Sequence, residues 1–419
     1  MNTKDFPHKD ILCIDMKCFY ASCIAMLEGL DVLKEPIAII GNLEHPGSIV
    51  LAASPIMKEK FHIQTGNRRY EIPRHPAIKL FEPKMTFFLE MSMAITRLIA
   101  QFVPPEAIYV YSVDESFVDI TGTKQLWGSP EHVAIMIREA IYEQFRIPAM
   151  IGMGPNMLMA KLALDLEAKQ SGFAKWTYAD VPTKLWPVKP LSKMWGIGKQ
   201  VETHLNTMGI QTVGELAHAD RSVLEKRFGV MGSQYYNHAW GLDFSILEES
   251  FATDAALSFS KGQTLGKGYY TRKAIAVVLL EMCEDVMRRT REAGYVGCTI
   301  SLGLSYCHHT QTKGFHRSLT IEEPTNETMV MYKACLALLD QYFIGEPIRQ
   351  LSVRLTNMEP ECSMQLDLLD ERKEQRRAVG HVMDAIRSKH GATAILRAAS
   401  YTKAGTAVAR NRLVGGHLA

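Results

Sequence analysis

The strongest constraint on how this chain can fold is an alternation of period. Short apolar runs and helical-period segments succeed one another between Ile11 and Lys169. In ILCIDMKCFYASC, Ile11 to Cys23, a buried-strand pattern reaches one carboxylate, Asp15, and turns at once into FYASCIAMLEGL, which has helical spacing. PIAIIG and SIVLAAS read as two more short strands, MKEKFHI as a small helix, and TGNRRYEIPRHP as a polar, proline-bounded connection. A helical pattern runs from Pro83 to about Phe102 and is closed by Pro104 and Pro105, which cannot continue a helix. AIYVYSV and SFVDIT follow as strands separated by Asp114 and Glu115. Ser129 and Pro130 then open a helix through about Phe145, IPAMIGM is a strand, and PNMLMAKLALDLEAK is a helix with Pro155 near its first turn. The order is β-α-[insert]-α-β-β-α-β-α, which fits a split βαββαβ sheet of ferredoxin-like type with the insert as a small separate lobe.

Beyond Gly172 the character changes. LSKMWGIGKQVETHLNTMGIQTVGELA reads as two short helices joined by glycine turns, and RSVLEKRFG with SQYYNHAWG extends a compact helical domain. From about Phe259 a second α/β unit is expected, with a helix around Lys273 to Ala293, the strand VGCTISLGLSY, a helix around Glu327 to Gln341 and the strand IRQLSVRLTNM. Its pattern ends near Glu359, where a tail begins. A chain of 419 residues has room for about two to four domains.

A composition of 47% hydrophobic and 22% charged residues is that of a globular protein, neither disordered nor fibrous. No apolar run approaches the roughly 18 residues that span a bilayer, and MNTKDFPHKD lacks the apolar core of a signal peptide, so a cytoplasmic location is expected. The eight cysteines contain no C-x-x-C pair and read as reduced, buried thiols; Cys307 with His308 and His309 lacks a second ligand cluster for zinc. A net charge of +2 does not announce a nucleic-acid binder. The C-terminal stretch is basic, with Arg372, Lys373, Arg376, Arg377, Arg387, Lys389, Arg397, Lys403, Arg410 and Arg412 against Glu371, Glu374 and Asp384; it suits either phosphates or a solvated surface.

Three acids carry the chemistry. Asp15 ends a strand, and Asp114 and Glu115 lie between two strands that neighbour it in a βαββαβ sheet, so the three converge at one edge with no cation in the sequence placed to neutralise them all. Hard oxygen ligands on a rigid sheet suit Mg²⁺, above all where substrate phosphates complete the shell, and the reaction class is two-metal phosphoryl or nucleotidyl transfer. The plainer alternatives are a solvated hairpin corner and a helix cap. Lys58 and Lys169 would balance triphosphate charge, or lie on the surface as ordinary lysines. GIG at Gly196 to Gly198, with Lys199 at the helix entry and MGI about ten residues on, forms the turn of a helix-hairpin-helix. It offers backbone N–H groups to a nucleic-acid phosphate without reading bases, although a packed helical hairpin needs glycines too. QLDLL, Gln365 to Leu369, suits docking into an apolar pocket on a partner, or an amphipathic turn on its own domain.

Together IDMKCFYAS, YSVDESFVDIT, MIGMGPNMLMAKLALDLEAKQSG and the MWGIG hairpin resemble the Y-family of translesion DNA polymerases, and within it the UmuC-like bacterial branch, over nearly the whole chain. The resemblance implies an α+β multidomain right hand. Palm is 1–22 and 79–173, fingers 23–78, a helix-hairpin-helix thumb 174–242, a linker 243–258, an α/β little finger 259–361, and a basic C-terminal tail 362–419 with a clamp-binding peptide at 365–369. It implies that Asp15, Asp114 and Glu115 bind two Mg²⁺ ions, helped by the Met16 carbonyl. Tyr20, beside Phe19, would be the steric gate that excludes a 2′-OH, and Lys169 would contact the incoming triphosphate. Lys58 matches a fingers residue with Lys60 as competitor, because one extra residue stands between Ser54 and Gly66. Gln365, Leu366, Leu368 and Leu369 match a sliding-clamp peptide in which phenylalanine is common at Leu369. The implied partners are primer-template DNA, deoxynucleoside triphosphates, the sliding clamp and a recombinase filament or accessory subunit. The implied activity is low-fidelity synthesis across damage in DNA repair, without a proofreading exonuclease. Lys17 departs from the pattern, since relatives carry an acid or small polar residue there; activity is expected to survive because the ligand is the carbonyl before it. The rivals are a nucleotidyl cyclase, which shares the sheet and metal pair but needs no duplex grip, and a non-catalytic DNA-binding scaffold, which needs no carboxylate set.

Overall fold

The computed structural model describes residue 6, residues 8–245, residue 247, and residues 258–269, 271–307, 312–361 and 373–418. The chain forms two compact units, Met1–Ala252 with His417–Ala419, and Thr253–Gly416.

The first unit begins with β1 (Ile11–Met16), whose residues Ile11 to Ile14 are buried, followed after a two-residue turn by α1 (Phe19–Leu27). The insert contains β2 (Ile37–Ile40), β3 (Val50–Ala53), α2 (Pro55–Phe61) and β4 (Lys79–Phe81). Its sheet has the order β3-β2-β4 around a small core of Ala38, Ile40, Val50, Ala53 and Met57. Ser54 caps α2 by accepting from the Met57 N–H, and Pro55 supplies the fixed φ of a first helical residue. The sequence reading does not anticipate β4, which is three residues long and too short to show alternation.

Next come α3 (Met85–Ile99), the hairpin of β5 (Ile108–Val110) and β6 (Glu115–Asp119), α4 (Lys124–Trp127), and α5 (Pro130–Phe145), capped by the Ser129 side chain. Then follow β7 (Ala149–Gly154), α6 (Met157–Ala163), one π turn over Leu164–Ala168, α7 (Lys169–Ser171) and β8 (Phe173–Lys175). The strands form one sheet of order β5-β6-β1-β7-β8. Its first four strands pair antiparallel, which is the split βαββαβ order; β8 adds a parallel edge. Glu115, expected between the strands, is the first residue of β6, and the helix after β7 also differs from expectation. The helix after β7 starts at Met157 under an Asn156 cap rather than at Pro155, and it is broken by the π turn. α6 lies tight on β7 because Gly152 has no side chain: a Cβ there would stand 2.2 Å from the Ala160 carbonyl oxygen.

The rest of this unit is helical: α8 (Lys199–Thr207), α9 (Val213–Ala217), α10 (Arg221–Phe228) and α11 (Val230–Ala239). Leu205, Val213, Leu216 and Leu224 share one core with Ile11, Cys13 and Phe117 of the sheet. A Thr212–Glu215 capping box starts α9.

The second unit contains β9 (Ser258–Tyr269), α12 (Arg272–Glu292), β10 (Tyr295–Tyr306), β11 (Phe315–Thr325), α13 (Thr328–Tyr342), β12 (Ile348–Pro360), α14 (Lys373–His390) and α15 (Ala407–Arg410). Its sheet is antiparallel, β11-β10-β12-β9, with Ile275, Leu279, Met282 and Val286 of α12 in one core with Ile300, Leu302, Val353 and Leu355. The C-terminal stretch is not a loose basic tail. Among its described arginines, Arg387 and Arg397 bind Glu284, Arg376 binds Glu327, Arg377 binds Glu361, and Asp384 receives Arg291. Those cations are committed to carboxylates of their own unit.

The seven described cysteines form no disulfide among themselves. Cys13, Cys23, Cys283 and Cys335 are buried, whereas Cys18, Cys298 and Cys307 are partly exposed. Cys362, His308 and His309 lie outside the described residues, as do Gln365 to Leu369. No helix among the described residues is long and apolar enough to cross a membrane.

Candidate active site

β1 is the middle strand of its sheet and pairs with β6 so that Asp15 stands opposite Glu115. Asp114 precedes β6 and is tied to β1 by its carbonyl, which accepts from the Met16 N–H at 2.9 Å. The three acids, a hundred residues apart in the chain, thus come together on adjacent strands. Asp15 and Asp114 line a cavity of about 560 Å³ together with Met16, Lys17, Tyr20, Lys58 and Lys169. Glu115 is not among the lining residues; it is buried.

The cations are closer than the sequence suggests. Lys161 Nζ lies 2.8 Å from Glu115 Oε2 and 3.2 Å from Asp165 Oδ2; Lys169 Nζ lies 2.6 Å from Asp165 Oδ1 and 3.6 Å from Asp15 Oδ2. The Cys13 thiol donates to Glu115 Oε1 at 3.1 Å. Two of the three acids therefore have a lysine beside them, Glu115 through Lys161 and Asp15 through Lys169. Lys161, Asp165 and Lys169 sit at i, i+4 and i+8 of one helical segment, so one face carries all three past the acids. That spacing was the available signal for Lys161 and Asp165, both absent from the expected site.

Burial raises the Asp15 carboxyl from the ordinary range to about 6, with the Lys169 ammonium opposing the shift and Asp114 and Glu115 adding to it. For Lys161 burial acts downward, but the bond to Glu115 and the charges around it outweigh burial and hold the ammonium above its usual value. Burial, then the Glu115 charge, pushes the Cys13 thiol up.

Tyr20 leans over the same cavity and stacks on Phe88 with ring centroids 4.5 Å apart and 13° between planes. Phe19 also lines the cavity, although it is only 3% exposed and packs its ring toward Phe88. Phe88, fully buried on α3, is a support the sequence reading does not include. Lys58 lines the cavity with its Nζ 3.4 Å from the Cys18 sulfur; Lys60 is not among the lining residues. Lys17 also lines the cavity, and its backbone N–H donates to the Pro148 carbonyl.

Away from the cavity, Gly196 takes φ +91°, which favours glycine, and Gly198 is the N-cap of α8, whose first residue is Lys199. The turn is anchored by Trp195, whose ring lies 5.8 Å from Phe117 and 5.9 Å from Tyr111.

Carboxylates of Asp15 and Asp114 are the hard donors a divalent ion prefers, and their chemistry fits. Among the described residues no three Asp, Glu, His or Cys side chains stand close enough to hold an ion. Glu115 is engaged elsewhere, with Cys13 and Lys161 on its two oxygens.

Comparison with known proteins gives three family matches: the impB/mucB/samB family over residues 14–165, the IMS family HHH motif over 178–210, and the impB/mucB/samB family C-terminal domain over 256–368. The chain is 48% identical to the putative UV-damage repair protein UvrX of Bacillus subtilis, over 98% of each chain. It is 35% identical to DNA polymerase IV 2 of the same organism, again over 98% of each. It is 32% identical to DNA polymerase IV of Pelotomaculum thermopropionicum, over 94% of this chain and 96% of that one.

Proposed function

The chain belongs to the impB/mucB/samB family, the UmuC-like branch of the Y-family DNA polymerases, and from that premise we propose that it is a DNA-directed DNA polymerase extending primers across damaged template. The observation that carries the reading is the register of Asp15 with Glu115, together with a cavity lined by Asp15, Asp114, Lys58, Lys169 and Tyr20.

Asp15, Asp114, Glu115 and the Met16 carbonyl would hold two divalent ions, Mg²⁺ by the hardness of the donors. Bound there, the ions supply activation of the primer 3′-OH and charge stabilisation at the α-phosphate as pyrophosphate leaves. The other tasks belong to side chains. Lys169 and Lys58 face the triphosphate, and Lys169 exchanges its contact with Asp15 for phosphate oxygen. Tyr20, backed by Phe88, fills the space a 2′-OH would need, so selection for deoxynucleotides is by clash. Gly196, Gly198 and Lys199 present backbone N–H groups and one ammonium to the duplex backbone.

On this reading 1–22 with 79–173 is the palm, 23–78 the fingers, 174–242 the thumb, 243–258 a linker and 259–361 the little finger. Gln365 to Leu369 is the proposed sliding-clamp peptide. Low fidelity and the absence of an exonuclease belong to the same proposal. Primer extension on one damaged and one undamaged template, with and without clamp, tests it. Asp114→Ala with Glu115→Ala should abolish extension while primer-template binding persists; extension by the double variant would show that other groups do the chemistry.

A further inference from the structure

Of the three acids, only Glu115 is turned from the cavity. Both its oxygens are occupied, Oε1 by the Cys13 thiol at 3.1 Å and Oε2 by the Lys161 ammonium at 2.8 Å. The Lys161 side chain is only 9% exposed, and it has a second acceptor, Asp165 Oδ2, at 3.2 Å. α6, which carries Lys161, lies close against β7, with the Ala160 carbonyl filling the space above Gly152. The ammonium stands between two carboxylates, one of which belongs to the set of three acids. A cation so placed competes with any divalent ion for Glu115, and a carboxylate leaving it does not strand it, since Asp165 remains.

We propose that Lys161 is a positioning residue for nucleotidyl transfer: it holds Glu115 withdrawn from the cavity and yields one carboxylate oxygen when divalent charge arrives, keeping Asp165 as its partner. The inference rests on the reading of Glu115 as a metal ligand. No covalent bond changes, and the proton stays on Lys161. Cys13 is the weaker second arm of the hold. Its thiol returns Glu115 to the interior without contributing charge.

The measurement is Mn²⁺ binding to the full chain with primer-template and no nucleotide, read from the signal of free Mn²⁺ in electron paramagnetic resonance. Lys161→Met removes a full positive charge beside the acids, and the apparent Mn²⁺ dissociation constant should fall by about tenfold. Lys161→Arg should return it toward wild type. A residue serving only the fold would weaken Mn²⁺ binding when removed, so tightening separates the two roles. Cys13→Ala removes the thiol donor at no change of charge and should tighten binding by about two- to threefold, the effect of one weak hydrogen bond. If Lys161→Met does not fold, Cys13→Ala decides alone. Mn²⁺ binding unchanged or weakened in every folded variant overturns the proposal. Glu115→Gln separates this failure from that of the polymerase reading. Wild-type Mn²⁺ binding and extension in Glu115→Gln would remove Glu115 from the site, whereas their loss alongside an unmoved Lys161→Met would remove only the hold.

Discussion

Tyr20 lies nearly parallel to Phe88, 4.5 Å from centroid to centroid, so the ring proposed to sense the nucleotide sugar is itself held by a fully buried ring. Offset or stacked aromatic pairs contribute about 0.5–1.5 kcal/mol beyond area burial, enough to restrict one rotamer. Tyr20→Ala should raise ribonucleotide incorporation, and Tyr20→Phe should leave it unchanged because the clash needs the ring and not the hydroxyl. Phe88→Leu should raise it by a smaller factor, since the ring above loses its flat support. Primer extension with ribonucleotides in place of deoxynucleotides measures all three, and wild-type discrimination in Phe88→Leu would show that Tyr20 needs no support.

Asp15 binds a proton up to a pH of about 6 in the folded chain, well above the ordinary carboxylate range. A protonated carboxyl cannot ligate a cation, so Mn²⁺ affinity should be level above that pH and fall by up to about tenfold per unit below it. The stability consequence has the opposite sense. The folded state holds this proton more tightly than the unfolded one, so the contribution is present below the unfolded value near 3.8 and is lost as pH rises through about 6. Asp15→Asn should abolish both dependences, seen in Mn²⁺ titrations and thermal melts across that range.

Lys169 is shared between Asp165 and Asp15. Its transfer to a triphosphate would gain a charge-assisted hydrogen bond, so Lys169→Ala should raise the nucleotide KM by about tenfold to a hundredfold. Primer-template affinity should not move. Steady-state extension with varied nucleotide checks the first, fluorescence anisotropy of labelled duplex the second, and an unchanged KM would take Lys169 out of the nucleotide contact.

In the second unit Arg291 donates from Nε and a terminal nitrogen to the two oxygens of Asp384, and to the Asn326 carbonyl, with side-chain exposures of 5% and 11% for the pair. Removing one partner of such a pair leaves a buried charge, and Asp384→Ala should cost about 3–5 kcal/mol. Arg291→Met with Asp384→Leu should recover most of it. Thermal and urea melts of the full chain distinguish the two, and a small loss in Asp384→Ala with a larger one in the double variant would show that the carbonyl contact, not the ion pair, carries the stability.

What the sequence made legible follows physical scale. Ser129 and Pro130 state a helix start in two residues, and α5 begins there. The alternation of periods implies the sheet order, and with it the meeting of Asp15 with Asp114 and Glu115. β11 escaped because none of its residues is buried and most are exposed, which removes the hydrophobic alternation a strand is read by. β9 escaped because SFSKGQTLGKGY is polar and glycine-bearing. Lys161 sits in an otherwise apolar helix, where a lone lysine reads as a stem reaching outward; only the strand pairing brings its head to Glu115. Arginines of the C-terminal stretch looked free because their carboxylates, Glu284, Glu327 and Glu361, lie upstream in the sequence.

Because Asp15 is carried by the central strand, with Glu115 opposite on one side and Met150 on the other, it has no frayed edge of its own. Amides of Ile11 to Met16 should exchange with deuterium only through the largest openings of their unit. The acid set would then survive warming or mild denaturant as long as the sheet does. Loss of chemistry on approach to unfolding would be abrupt, with no half-melted form that keeps the strand and misplaces the carboxylate.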